Sequence, residues 1–232
     1  MSARNDWSAT PTIKRTSTLI GSTLALIACL MLGIPSMAVA VTPVLVAKLV
    51  ASDAAAEDQF GYAVAVSGNT AVIGASQDDD AGTDSGSAYV FVRTASGWIQ
   101  QAKLAPNDPQ AYYNFGYSVA IDGDTVVIGT RLLQPAPPYT LVQGAYVFVR
   151  VGGSWTQQAR LSSEITLYSD RFGNTVSIDG DTVAVGAPSD RDNGIESGAV
   201  HVFVRSGSVW TRQAKLKASD GGASDRFGQS VA

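Results

Sequence analysis

Thiols and imidazoles are almost absent from this chain, and their scarcity removes whole classes of chemistry. Cys29 is the one cysteine and His201 the one histidine in 232 residues. A two-histidine metalloprotease motif is therefore out of reach, and a cysteine–histidine pair is lost once the N-terminal segment that carries Cys29 is removed. No G-x-S-x-G elbow and no phosphate-cradling glycine loop is present. Basic charge is short too: 16 Lys and Arg face 20 Asp and Glu, for a formal net charge of −4. Nucleic acid and anionic membranes reward clustered Lys and Arg, so neither is an expected partner. The hydrophobic fraction of 45% is ordinary for a globular protein, and nothing in the composition suggests disorder or collagen.

The first forty residues have the order of a secretory signal. Lys14 and Arg15 close a basic region, an apolar stretch runs from about Leu19 to Ile34, and Pro35 precedes the small residues Ala38 and Ala40. Cleavage after Ala40 is the expectation, giving a secreted or cell-surface protein with no membrane span left. Two other readings stand beside it. The apolar run is marginal in length for a retained anchor. Leu26-Ile27-Ala28-Cys29 looks like a lipobox, which would make Cys29 a lipidated N-terminus. Cleavage after Ala40 leaves no thiol, and removing Arg4, Lys14, Arg15 and Asp6 takes the net charge from −4 to −6.

Self-comparison carries the most information, because a fixed period identifies a repeat architecture. Phe-Gly recurs at Phe60-Gly61, Phe115-Gly116, Phe172-Gly173 and Phe227-Gly228, at spacings of 55, 57 and 55 residues. A glycine lies fourteen residues after each of the first three phenylalanines, at Gly74, Gly129 and Gly186. Arg93, Arg150 and Arg205 end aromatic runs, and Trp98, Trp155 and Trp210 follow, each five residues before the cation of a Gln-Ala-Lys/Arg-Leu segment.

Within a unit the pattern is β throughout. Tyr62–Val66 and Thr70–Gly74 are short apolar runs joined by Ser67-Gly68-Asn69; later units place Asp122-Gly123 and Asp179-Gly180 at that turn. A loop rich in Asp, Gly and Ser leads to Ala88–Arg93, and a short turn leads to Trp98–Leu104. Four strands per unit in tandem predict an all-β fold, a β-propeller of four-stranded blades. The expected division is a signal peptide at 1–40, an N-terminal strand at 41–53, blades at 54–108, 109–165 and 166–220, and the start of a further blade at 221–232.

Phe172-Gly173 with Gly186-Ala187-Pro188 resembles the FG-GAP pattern in full, and Phe60-Gly61 with Gly74-Ala75-Ser76 resembles it with serine for proline. The middle unit departs from it, with Gly129-Thr130-Arg131. The resemblance implies a seven-bladed propeller like that of integrin α subunits, in which blades bind protein ligands across one face and some carry calcium.

Two loops are candidate calcium sites. Asp78, Asp80 and Asp84 align with Asp190, Asp192 and Glu196, and alternate carboxylates around a glycine bend can converge oxygens on a hard cation. The competing reading is a solvated acidic turn. Gly82 and Gly194 stand where calcium loops of integrin blades place a further oxygen ligand. The middle loop, Arg131 to Val142, has no carboxylate and is expected to hold no metal. His201 occupies the slot of Tyr89 and Tyr146, which argues for a strand residue rather than a catalytic one. The periodic tryptophans and phenylalanines are read as packing, and Lys48, Lys103, Arg160 and Lys215 as blade-edge charges that discourage edge pairing.

No catalytic residue emerges. The expected function is an extracellular binding or adhesion module for a protein or glycan. The alternatives are the scaffold of a propeller-containing enzyme, with chemistry such as polysaccharide cleavage carried elsewhere, and a purely structural surface protein. Ala47–Asp53 matches the fourth-strand segment Ala214–Asp220, and Phe227–Ala232 begins a first strand. The isolated chain is thus expected to be part of a larger propeller whose missing blades lie elsewhere in the full-length protein, and to be oligomeric or poorly soluble alone.

Overall fold

A computed structural model describes residues 45–132, 143–163 and 170–232. The chain divides into a unit at Met1–Leu45 and a compact unit at Val46–Ala232. The signal, lipobox and anchor readings fall on residues 1–40, outside the described residues.

Twelve strands are described, in three four-stranded antiparallel sheets. The first holds β1 (Phe60–Ser67), β2 (Thr70–Ala75), β3 (Ser87–Thr94) and β4 (Gly97–Leu104). The second holds β5 (Ser118–Asp122), β6 (Thr125–Gly129), β7 (Ala145–Val151) and β8 (Ser154–Leu161). The third holds β9 (Thr175–Asp179), β10 (Thr182–Ala187), β11 (Ala199–Ser206) and β12 (Val209–Leu216). Each sheet is a simple meander in chain order, the architecture of propeller blades.

Local chemistry sets the meander. Ser67 pairs with Thr70, Asp122 with Thr125 and Asp179 with Thr182, leaving two-residue turns whose glycines, Gly68, Gly123 and Gly180, sit at φ of 56°, 53° and 54°. A side chain with a Cβ is strained at those angles. The arginine at the end of each third strand clasps this turn. The Arg150 N–H donates to the Asp124 carbonyl at 2.9 Å and its Nε to the Asp124 carboxylate at 2.7 Å, and Arg205 does the same to Asp181.

The second strands β2 and β6 are buried along their whole length, while β4, β8 and β12 alternate exposed and covered positions. The core lies between sheets. Val72, Val90 and Leu104 of the first blade pack with Phe115, Val126, Ile128, Tyr146 and Phe148 of the second. Val127, Val147 and Leu161 on the second blade's other face meet Phe172, Val183, Val185 and Phe203 of the third. Burying each such side chain is worth about 1.5–3 kcal/mol, so these two seams dominate the stability of the stack.

Residues 45–53 do not form the strand that their sequence predicts. Leu49 and Ala51 instead lie on the free face of the first blade beside Ile73, Tyr89 and Phe91, and Ser52 exchanges hydrogen bonds with the Gln100 side chain. A strand requires a ladder partner, and none is alongside this segment among the described residues. At the other end Phe227 makes a single parallel bridge to Gly198 rather than a strand.

Candidate functional site

A four-stranded meander has two unlike ends. Tight turns occupy one. The other gathers the long connections: β2 to β3 within a blade (76–86, 188–198) and β4 of one blade to the first strand of the next (105–117).

These connections are stitched to each other. Tyr112, Asn114 and Phe115 donate backbone N–H groups to the carbonyls of Thr83, Asp84 and Ser85 at 2.7, 2.9 and 3.0 Å. Ser224, Arg226 and Phe227 repeat the pattern on Ile195, Glu196 and Ser197 at 2.8, 2.9 and 3.0 Å. Both sides of the stitch carry non-glycine residues at positive φ: Asp84 at 51° and Asn114 at 46°, Glu196 at 54° and Arg226 at 52°. Strain of this kind persists only where surrounding contacts over-determine it.

The Phe-Gly and Gly-Ala landmarks meet here, across blades. A Cβ on Gly74 would collide with the carbonyl of Gly116, one on Gly129 with that of Gly173, and one on Gly186 with that of Gly228. The glycines of the last three Phe-Gly pairs therefore back onto the glycine of the preceding unit's Gly-Ala or Gly-Thr, while Phe115 and Phe172 turn edge-on into their own sheets, Phe115 to Tyr146 and Phe148, Phe172 to His201 and Phe203.

At the turn end a second tie joins blades. Each fourth strand carries a bulge: Val90 pairs with Ala102 and Phe91 with Gln100, leaving Gln101 as the extra residue, and Gln158 stands likewise in β8. Gln101 accepts from Trp155 Nε1 at 2.8 Å, and Gln158 from Trp210 Nε1 at 2.8 Å. Arg150 and Arg205 stack on those indoles and reach back to Thr70 and Thr125 of the preceding blade. A bulge re-aims one side chain, and here it aims a glutamine at the next blade's tryptophan.

The six acidic residues of the two candidate loops separate into two groups. Asp78 and Asp80 converge with Asp53 within 4.8 Å of one another. At their centre is the ammonium of Lys103, 2.8 Å from Asp53, 2.8 Å from Asp78 and 2.5 Å from Asp80. In the third blade Asp190 and Asp192 take Lys215 at 2.6 and 2.9 Å, and Lys217 adds to Asp192 at 3.2 Å. Asp84 and Glu196 belong to the interblade stitch instead. The Asp84 N–H donates to the Asp79 carboxylate, and Glu196 pairs with Arg226 at 2.7 Å. Lys103, Arg160 and Lys215 thus turn onto the acids of the loop end rather than guarding a strand edge, because unneutralised carboxylates lie within reach.

Asp78 is fully engaged by protein donors. Its Oδ1 accepts from the Asp80 N–H, its Oδ2 from Tyr89 and Lys103, and its carbonyl from Gly86 and Ser85. Calcium requires six to eight oxygens at 2.3–2.6 Å. As placed, three carboxylates whose common focus is an amine do not supply that set.

Burial pushes the Asp78 carboxyl up, but hydrogen bonds from Lys103 and Tyr89 outweigh it and hold the group below the usual range. Hydrogen bonding to Lys103 lowers Asp53, and hydrogen bonding to Lys215 lowers Asp192. Burial acts against the Lys103 ammonium, yet its three carboxylate partners raise it well above an ordinary lysine.

His201 lies between Val185 and Lys215 in register, as Tyr89 lies between Ile73 and Lys103. It is 2% exposed, and neither ring nitrogen has a hydrogen-bond partner among the described residues. Burial, then the nearby Lys215 and Arg212, depress it to about 4, against the opposing pull of Asp190 and Asp192.

The lysine-centred clusters escaped the motif reading, although a signal was present: an aspartate follows the fourth-strand cation by five residues at Lys48/Asp53 and Lys103/Asp108. Both aspartates reach the cation of the following unit, Asp53 to Lys103 and Asp108 to Arg160 at 3.0 Å.

Three meanders joined by repeating seams define a β-propeller type of repeat protein. The FG-GAP repeat model matches residues 44–91, 98–148, 155–203 and 210–232, and the chain belongs to that family. The units matched at 98–148 and 155–203 begin on a fourth strand, β4 or β8, and end on the next third strand, β7 or β11, so each of these two spans a seam. No curated protein matches the chain. Among solved structures, the Saccharomyces cerevisiae protein Sqt1 is similar at 10% identity and a TM-score of 0.44, covering 72% of this chain and 38% of that one.

Proposed function

We propose that the chain is a binding module for an extracellular protein or glycan, presented on the outside of the cell or secreted, with the loop end as its recognition surface. The observation that carries this reading is a contrast between frame and loops. Seam glycines, tryptophan–glutamine ties and turn clasps recur unit by unit, whereas the β2–β3 connections differ: Asp78–Gly86 and Asp190–Gly198 are acidic, and Arg131–Val142 is rich in proline with no carboxylate. Rigid frames with divergent loops are the usual layout of recognition surfaces. The loop end also shows an exposed Ile195 beside Glu196 and Arg226, an apolar anchor with charged neighbours.

Arrays of glycans and purified extracellular matrix proteins, probed with the full chain, test the reading. Ile195→Asp is expected to weaken binding at least tenfold, while Ser96→Glu at the turn end leaves it unchanged. Binding lost through Ser96→Glu and retained by Ile195→Asp would place recognition at the other end. No binding by folded protein to any array would contradict the module itself.

A further inference from the structure

We propose that the cation ordering the acidic loops is built into the chain: the ammonium groups of Lys103 and Lys215 take the place that a bound divalent ion would fill, and the loops are ordered without calcium.

Three observations carry this. An ammonium has three N–H donors, and Lys103 Nζ has three carboxylate acceptors, Asp53, Asp78 and Asp80, at 2.5–2.8 Å. The arrangement recurs in the third blade, where Lys215 and Lys217 bring two positive charges to Asp190 and Asp192. That cluster is formally neutral and has no excess charge to attract a second cation. In the middle unit the loop has no carboxylate, yet a cation still stands in the fourth strand: Arg160 meets Asp108 and lies 5.6 Å from the Tyr146 ring centroid. The cation is therefore a property of the strand, present in every unit whatever its loop contains.

The tyrosine beneath it completes the cage. Tyr89 donates to Asp78 at 2.8 Å and its ring lies 5.2 Å from the Lys103 ammonium. Asp78 is thereby held from two sides by groups of the sheet, and the loop is tied to β3 and β4 without a diffusible ligand. A tethered ammonium also has the advantage of effective concentration over free ions.

The test is calorimetric unfolding of the full chain in EDTA and in about 5 mM CaCl2, above the range of extracellular calcium sites. The wild type is expected to melt within about 1 °C in both. Lys103→Met is expected to melt about 5 °C lower in EDTA and to recover part of the loss in CaCl2, since Asp53, Asp78 and Asp80 then lack a cation. A wild-type rise of several degrees with calcium would overturn the proposal, and so would Lys103→Met matching the wild type in EDTA. Should Lys103→Met not fold, Lys215→Met supplies the variant arm, expected to melt lower in EDTA, and the wild-type comparison decides on its own.

Discussion

The first and third blades build the same loop over different floors. In the first, Tyr89 donates to Asp78 and shares that carboxylate with Lys103; in the third, His201 occupies the same register position and makes no hydrogen bond to Asp190 or to any other described residue. The backbone follows the same path in both, with Asp78 and Asp190 each capping the N–H two residues on and each accepting from the Ser-Gly at the loop's end. The comparison teaches that the loop's shape comes from aspartate, serine and glycine, while its attachment to the sheet comes from the strand residues beneath. The third blade keeps the first contribution and only the lysine share of the second.

The largest expected effect comes from the seams that both loops border. Gly74→Ala would drive a Cβ into the Gly116 carbonyl, where both partners are backbone and neither can yield cheaply; a loss of about 3 kcal/mol or more, the upper end for overpacking, is expected in urea unfolding. Gly186→Ala, which meets Gly228 in a segment with one bridge to the third blade, is expected to cost less. Equal losses would mean that the two seams are equally important to the stack.

Next come the lysines. Lys103→Met removes the partner of a nearly buried Asp78 and of two more exposed carboxylates, for an expected loss of about 2–3 kcal/mol. Lys215→Met is expected to cost less, since Lys217 still serves Asp192. A larger loss at Lys215 would reverse the ranking of the two cages.

His201 separates the blades by pH. Its folded value of about 4 lies below the ordinary 6.5, so the unfolded chain binds the proton first. Its contribution is complete above pH 6.5 and is lost as pH falls toward 4, on the order of 3 kcal/mol in all. Asp53, Asp78 and Asp192, held low by their lysines, add a further loss only as pH falls through the carboxylate range. His201→Tyr is expected to abolish the upper part of this decline. At neutral pH it should add about 1 kcal/mol by supplying the donor that Asp190 lacks. An unchanged stability profile between pH 7 and 4.5 would show that the imidazole does not resist protonation there.

The smallest effect concerns the turn clasp. Asn69 receives Arg93 Nε at 3.1 Å where Asp181 receives Arg205 at 2.7 Å, so Asn69→Asp should bring the first blade to the third blade's pairing and add at most about 0.5 kcal/mol.

The sheets were legible in the sequence because their signals are local and repeated. Gly123 and Gly180 mark turns, alternation marks strands, and the 55–57-residue beat marks the blade. The seams were only half legible. Phe-Gly and Gly-Ala announce themselves as landmarks within a unit, but their contact is between units, and only packing shows that Gly116 opposes Gly74 rather than a residue of its own sheet. Gln101 recurs as the first residue of the Gln-Ala-Lys/Arg-Leu segment, but a bulge has no residue signature in this strand, so only the structure shows that this glutamine is aimed at the next blade's tryptophan. The acidic residues form one spaced set in the sequence because spacing along a chain does not reveal direction: the carboxylates of Asp78 and Asp80 meet the amine of Lys103, while Asp84, at positive φ, gives its backbone carbonyl to the Asn114 N–H of the next blade.

A crystal structure of the full chain grown in about 10 mM CaCl2 tests most directly whether the strand itself supplies the loop's cation. The account predicts Lys103 Nζ at the centre of Asp53, Asp78 and Asp80, with carboxylate oxygens at hydrogen-bond distance of about 2.7–2.9 Å. A calcium ion at that centre with oxygens at about 2.3–2.6 Å, and the lysine turned out to solvent, would contradict it.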